Sequence, residues 1–260
     1  MNFNLYDLFW SYDAGTPFEK VGLNTDSFSL SAGNLIGVLG ATGSGKSTFV
    51  KLISGLLDNK IRIMEEESEL KPVDVSYVFQ QPEHQLFEES VSAEMEFALK
   101  NFNIAEERWR SLISKSLKSC GLDETFLNKH PLELSGGQKR RVAIASVLVY
   151  APKILILDEP LAGIDVNCSR TLISTMRSYV TPETLVFWVS HDHEALLEWA
   201  DQSLLFENQS VKFFGSVVEG VARCNVTDPL LRNFLVRRLE GSVSVNGQEL
   251  VEELRNNNAG

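Results

Sequence analysis

The chain has 260 residues, of which 43% are apolar and 23% charged, an ordinary balance for a soluble globular protein with a sizeable core. Its length admits one large domain or one domain with an appendage. A formal net charge of -11 weighs against a nucleic-acid binder, which carries a basic footprint. No apolar run reaches the roughly 18 residues of a membrane span, and the longest stretch, 142–157, is interrupted by Pro152 and Lys153. The N-terminus has no basic start followed by an apolar segment, so no secretory signal is expected. Cys120, Cys168 and Cys224 lie far apart without CxxC spacing, which excludes a disulfide framework and a zinc site and fits a reducing interior.

In chain order, 2–12 and 27–30 read as strands around a turn at 13–17. Short apolar runs follow at 35–39, 75–79, 154–157, 185–189 and 204–206. Their Val, Ile and Leu content suits buried strands of a mostly parallel sheet, and helical patterns between several of them predict an α/β fold. The block from about 89 to 150 reads as mainly helical. Within it, Trp109, Leu112, Ile113, Leu117 and Cys120 share one helix face, with Gly121 at the C-cap. Beyond about 215, Asp228-Pro229 reads as an N-cap with a first-turn proline. It precedes an apolar stripe of Leu230, Leu231, Phe234, Leu235 and Leu239, so 216–260 is expected to be a small helical extension.

Three segments carry candidate chemistry. Gly40-Ala41-Thr42-Gly43-Ser44-Gly45-Lys46-Ser47 fits GxxxxGK[ST] between the 35–39 run and a helix expected at 46–57, which Thr48 also joins. Glycines let successive backbone N–H groups face one anion, and the helix N-terminus adds positive potential. Lys46 supplies a point charge to phosphates and Ser47 a hydroxyl for Mg²⁺. The strand before and the helix after weigh against the alternative, a glycine-rich turn with a chance lysine. In Leu155-Ile156-Leu157-Asp158-Glu159-Pro160, a buried strand ends in two acids. Asp158 suits Mg²⁺ binding, either directly or through a water, and Glu159 is placed to polarise a water as general base, or both are acids at a strand end before a turn proline. Leu134-Ser135-Gly136-Gly137-Gln138 opens a helix with Ser135 as N-cap, either an ordinary capped start or a second anion site. Lys139-Arg140-Arg141 reads as a solvated helix face, and His193 as a surface residue.

The order of GxxxxGKS, LSGGQ and LILDEP resembles the ATP-binding-cassette (ABC) ATPases over residues 1–215. The resemblance implies a P-loop NTPase of ABC type, with an N-terminal antiparallel β region, a helical subdomain at about 89–150 and the 216–260 extension. It implies ATP and Mg²⁺, with Tyr12 stacked on adenine and the 40–48 segment around the phosphates. Ser47, Gln80 of Val78-Phe79-Gln80 and Asp158 are assigned to the metal. Glu159, His191, Gln80 and Lys46 are assigned to catalysis, and Asp165 of Ala162-Gly163-Ile164-Asp165 to the D-loop. Ser135, Gly136, Gly137 and Gln138 are expected to complete the site of a second, identical or paralogous ATPase in a head-to-tail dimer.

Val78-Phe79-Gln80-Gln81-Pro82-Glu83-His84-Gln85 is similar to the VFQNPxxQ stretch of energy-coupling-factor importers, as are 93–101, His130-Pro131-Leu132-Glu133 and the extension. The 57–75 stretch is shorter than that family's. This narrower resemblance implies uptake of a vitamin or transition-metal ion. It also implies a transmembrane coupling subunit, a substrate-binding membrane subunit and a peripheral position on the cytoplasmic face of the membrane. A conventional importer, an exporter, or an ABC ATPase acting on nucleic acid or ribosomes are the rivals. The short span from Gly40 to Ser135 leaves no room for a coiled coil, there is a single cassette, and the acidic balance weighs against nucleic acid.

Overall fold

The computed structural model describes residues 1–57, 62–65, 67–71, 74–162 and 166–223, excluding the side chains of 166–168. In chain order the elements are β1 (Asn2–Tyr6), β2 (Phe9–Tyr12), β3 (Lys20–Asn24), β4 (Phe28–Ser31), β5 (Asn34–Leu39), α1 (Lys46–Ile53), β6 (Arg62–Glu65), β7 (Ser68–Glu69), β8 (Val75–Val78), α2 (Val91–Asn101), α3 (Trp109–Ser119), α4 (Gly136–Leu148), β9 (Ile154–Asp158), α5 (Val166–Tyr179), β10 (Leu185–Val189), α6 (His193–Trp199), β11 (Gln202–Glu207), β12 (Ser210–Ser216) and α7 (Val217–Arg223).

The main sheet runs β12-β11-β5-β10-β9-β8, and its strands are parallel except for antiparallel β12. Each expected apolar run falls on one of its strands. Side chains alternate faces along a strand, and the alternation builds two cores. Leu155 and Leu157 of β9, with Leu35, Val186 and Trp188, face α2 to α7. Ile154 and Ile156, with Ile36, Phe187 and Phe206, face α1 and the N-terminal strands. There Phe49 of α1 is fully buried, and its ring meets those of Phe28, Phe187 and Phe206 at centroid distances of 6.2, 5.7 and 5.1 Å.

The N-terminal region is antiparallel as expected, but 2–12 is two strands. β1 joins the sheet β4-β1-β6-β7, whereas β2 pairs with β3. Asp7 (φ 59) reverses the chain between them, and the Phe9 N–H donates to the Asp7 carbonyl at 2.8 Å. A three-residue reversal of this kind leaves no mark on apolar alternation. Helix α1 ends at Ile53, short of the expected 57, because Gly55 (φ 73) closes it and the Leu56 N–H returns to the Lys51 carbonyl.

The 89–150 block contains α2, α3 and α4. On α3, Ile113 and Leu117 are buried, Trp109 and Leu112 pack at the margin, and Gly121 (φ 65) follows buried Cys120. The Ser116 hydroxyl ties α3 to α4 by donating to the Ala145 carbonyl at 2.6 Å. Helix α7 packs on β5, β11 and β12. The helix expected from Asp228 and the D-loop residues 163–165 lie outside the described residues. Among the described residues no helix is long and apolar enough to cross a membrane.

Truncating Phe49 to Ala opens a cavity where the N-terminal strands, α1 and the main sheet meet. The expected cost is about 3–5 kcal/mol, read as a lowered denaturant midpoint at constant slope.

Candidate active site

The loop 40–45 leaves β5 under tight steric constraint. A Cβ on Gly40 (φ +138) would lie 2.4 Å from the Phe206 carbonyl oxygen, so only glycine lets the chain pass there. The turn between β11 and β12 braces the loop from outside. Gln209 (φ 60) donates its side-chain amide to the Gly43 carbonyl at 2.9 Å and its N–H to the Ser44 carbonyl at 3.0 Å. Its own carbonyl accepts from the Asn24 N–H at 2.7 Å. Lys46 is buried, with Nζ donating to the carbonyls of Gly40 at 2.6 Å and Ala41 at 2.9 Å. Thr48 is buried in the first turn of α1 and shares a 2.9 Å hydrogen bond with the Tyr12 hydroxyl, which brings the end of β2 over the helix start.

Strands β9 and β10 deliver the acids. Asp158 ends β9 opposite Val189, and its carboxylate accepts a short hydrogen bond from the Tyr77 hydroxyl. Glu159 adopts a left-handed backbone (φ 46), and its N–H donates to the Val189 carbonyl at 2.9 Å. Its carboxylate accepts from the His191 N–H at 2.9 Å and the Ser190 hydroxyl at 3.3 Å. Burial raises the Glu159 carboxyl above its ordinary 4.5, with His191 and these hydrogen bonds opposing. Burial, then the Asp158 carboxylate, raise the Tyr77 phenol.

Thr42, Gly43, Lys46, Ser47, Thr48, Gln80, Asp158, Glu159 and His191 line one cleft of about 510 Å³. Gly40, Ala41 and Ser44 line an adjoining cleft of about 850 Å³ beside His191 and the β11–β12 turn, while Gly45 is buried beneath. The space around Gly43 is open to 4 Å, so the loop offers an uncovered cradle. The Ser47 hydroxyl, Gln80 amide and Asp158 carboxylate are hard oxygen donors on one cleft. That set fits a Mg²⁺ shared with phosphate oxygens, since this ion is usually held by few protein ligands. Among the described residues no cluster of three or more His, Cys, Asp or Glu forms a metal site by itself.

None of Ser135, Gly136, Gly137 or Gln138 lines that cleft. They form a capped helix start: the Gln138 N–H donates to the Ser135 hydroxyl at 3.4 Å, and the Ser135 N–H donates to the Gln138 side chain at 3.0 Å. Ser135 and Gly136 are exposed. Asp165 lies outside the described residues.

A family model for the ABC transporter domain matches residues 23–162. The chain is 33% identical over 286 positions to the energy-coupling factor transporter ATP-binding protein EcfA2 of Clostridium perfringens, covering 99% of this chain and 100% of that one. It is 38% identical over 219 positions to a putative ABC transporter ATP-binding protein of Pyrococcus horikoshii, covering 81% and 82%. Among solved structures, CbiO1 of Clostridium perfringens, part of the ABC transporter complex CbiONQ, aligns with a TM-score of 0.70 at 28% identity over 90% of this chain and 94% of that chain. A dimeric ATP-binding cassette bound to ADP and Pi shares the fold with a TM-score of 0.64 at 22% identity over 83% and 98%.

Two basic or polar positions depart from the expectation of a solvated surface. His193 is half-buried at the start of α6, and burial lowers its pKa. Arg140 is only 4% exposed; its guanidinium donates to the Gln80 carbonyl at 2.7 Å and the Ala162 carbonyl at 3.0 Å. Arg141 donates to the Gly121 carbonyl at 2.9 Å. The run Lys139-Arg140-Arg141 gave no sign of this, because α4 packs on the turn at 82–85 and so buries a face that is basic in sequence. Replacing Arg140 by Ala is expected to cost about 2 kcal/mol or more in chemical denaturation, by leaving two carbonyls without their charged donor. Lys at this position recovers only part of the loss, since one ammonium lacks the planar fork that spans both carbonyls.

Proposed function

We propose, from the premise that this chain belongs to the ABC transporter family of ATPases, that it powers an energy-coupling-factor importer as the ATP-hydrolysing subunit. What supports the reading most directly is the convergence of Lys46, Ser47, Gln80, Asp158, Glu159 and His191 on one cleft, with residues 135–138 outside it. ATP lies with its phosphates in the 40–48 loop and its adenine against Tyr12. Lys46 exchanges its two loop carbonyls for phosphate oxygens. Ser47, Gln80 and Asp158 would hold a Mg²⁺, which when bound would supply positive charge against the phosphates. Glu159 accepts the proton of the attacking water, a bond forms from that water to the γ-phosphorus, and the bond to the β-bridging oxygen breaks, giving ADP and phosphate. His191 faces the γ-phosphate, and the rate gain comes from positioning and electrostatics.

Ser135, Gly136, Gly137 and Gln138 of a second ATPase, the same or a paralogue, close over the nucleotide, and Asp165 lies at the same interface. Loss of the γ-phosphate then loosens a two-state interface. The outward surface after Gln80 carries Phe87 and Phe97, 64% and 40% exposed, with rings edge to face at 4.8 Å. Glu94 holds this turn by accepting from the N–H groups of Phe87 and Glu88, each at 3.0 Å. This ridge receives the transmembrane coupling subunit on the cytoplasmic face of the membrane. A separate membrane subunit captures the vitamin or transition-metal ion.

Affinity purification from the native membrane tests the assignment: a small integral-membrane subunit should accompany the chain and dissociate in Phe87→Glu, whereas ribosomes or DNA in its place would refute it. At the site, Lys46→Ala should weaken ATP binding, and Glu159→Gln should keep ATP while losing turnover, both read by equilibrium binding and phosphate release. Because burial raises the Glu159 carboxyl, the base is ionised only above its ordinary range. The acid limb of kcat is therefore expected above pH 4.5, with activity lost as pH falls through the raised value.

A further inference from the structure

We infer that Tyr77 is a positioning residue for the metal-binding carboxylate: its hydroxyl holds Asp158 in the orientation that meets the nucleotide's divalent cation. The inference rests on the reading of Asp158 as a metal ligand and adds a residue that the 40–48 loop, the acid pair and the Ser135–Gln138 segment do not include.

The argument begins with strand register. β8 and β9 are parallel, with Tyr77 beside Ile156 and Val78 beside Leu157. Residues two apart on a strand share a face, so Asp158 lies on the face of Ile156, one step further along. A side chain of tyrosine length at 77 therefore reaches forward to the carboxylate at the strand end. The hydroxyl does so, donating to Asp158 Oδ2. A shorter or purely apolar residue at 77 could fill the same strand position without touching the acid.

The tyrosine is itself held. Its ring packs edge to face on Phe79 at a centroid distance of 4.4 Å, and the side chain is partly buried. A phenol carries a proton to donate, and the carboxylate beside it can only accept. The acid, in contrast, needs an external restraint. The terminal torsion of an aspartate is broad and nearly two-fold, and a carboxylate at a strand end can turn away from the cleft. Groups that hydrogen-bond a metal ligand fix its orientation, and their removal typically weakens metal affinity by roughly 10–100-fold. The strand that carries Tyr77 also leads directly into Gln80, so β8 places one metal-facing group and restrains another.

The test uses the full chain with a non-hydrolysable ATP analogue and Mn²⁺ as a spectroscopic probe for Mg²⁺. Tyr77→Phe keeps the ring on Phe79 and removes only the hydroxyl. Electron paramagnetic resonance titration is expected to show Mn²⁺ binding to the Tyr77→Phe nucleotide complex weakened by about 10-fold or more. Nucleotide affinity in EDTA should stay within about two-fold of wild type, because the phosphate loop is untouched. In the Asp158→Asn background the same Tyr77→Phe change should have no further effect on Mn²⁺, which identifies the carboxylate as the route. Equal Mn²⁺ affinity in wild type and Tyr77→Phe, or an undiminished effect in the Asp158→Asn background, overturns the inference alone. A parallel loss of metal-free nucleotide binding also overturns it, by exposing a general distortion. Absence of Mn²⁺ binding in the wild-type nucleotide complex overturns the metal assignment of Asp158 itself, and the inference with it.

Discussion

The active-site geometry hangs on the close passage of the chain at Gly40 beneath the Phe206 carbonyl, where a Cβ would sit 2.4 Å from the oxygen. One residue of β11 thereby sets both ends of the phosphate loop. Its carbonyl limits the exit from β5, and its ring packs on Phe49 of α1 at 5.1 Å. The Gln209 turn then clamps the middle of the loop through Gly43 and Ser44. A loop held in this way can present its N-terminal helix end to an anion without ordering itself at the moment of binding, which is the physical content of preorganisation.

Strand parity accounts for the placement of the two acids. Ile154 and Ile156 face the α1 side, so Asp158 continues that face toward the start of α1. Glu159 would fall on the opposite face had the strand continued. Its left-handed backbone (φ 46) breaks the alternation and turns the carboxylate to the His191 N–H and Ser190 hydroxyl instead. A non-glycine residue in that region costs on the order of 1–2 kcal/mol, and such strain concentrates where a side chain must be aimed. Two adjacent acids thus acquire different surroundings: a phenol for one, and a burial that raises the carboxyl for the other.

Much of this was legible beforehand because it is periodic or punctuated. The apolar runs at 35–39, 154–157 and 185–189 are buried in full on neighbouring parallel strands, so their composition alone carried their place in the sheet. Gly40 to Ser47 and the Ser135–Gln138 cap announced themselves through residue types with few alternative uses. The failures have physical causes. The tight turn at Asp7 and Leu8 splits the first strand over two residues, which periodicity averages away. β3 follows an irregular turn and has two buried neighbours, Gly22 and Leu23, rather than alternation. Tyr77 sits inside the apolar run 75–79, where its hydroxyl, the polar end of an otherwise apolar side chain, leaves no separate signal. Gln209 acts largely through its backbone, which a sequence does not display.

Arg140 makes the same point from the opposite side. A guanidinium transferred from water into the protein interior is costly unless its donors are met. Two of them are met by main-chain carbonyls, at Gln80 and Ala162. The partners matter because they lie on different elements: one follows β8, the other follows the acid pair, and the arginine itself rides on α4, the helix that Ser135 caps. A hydrophobic residue would pack this space more cheaply but would leave both carbonyls without a donor and the three elements free to shift independently. The charge is therefore best understood as a constraint on relative position. It ties the Gln80 segment and the turn after the acid pair to the same helix, α4.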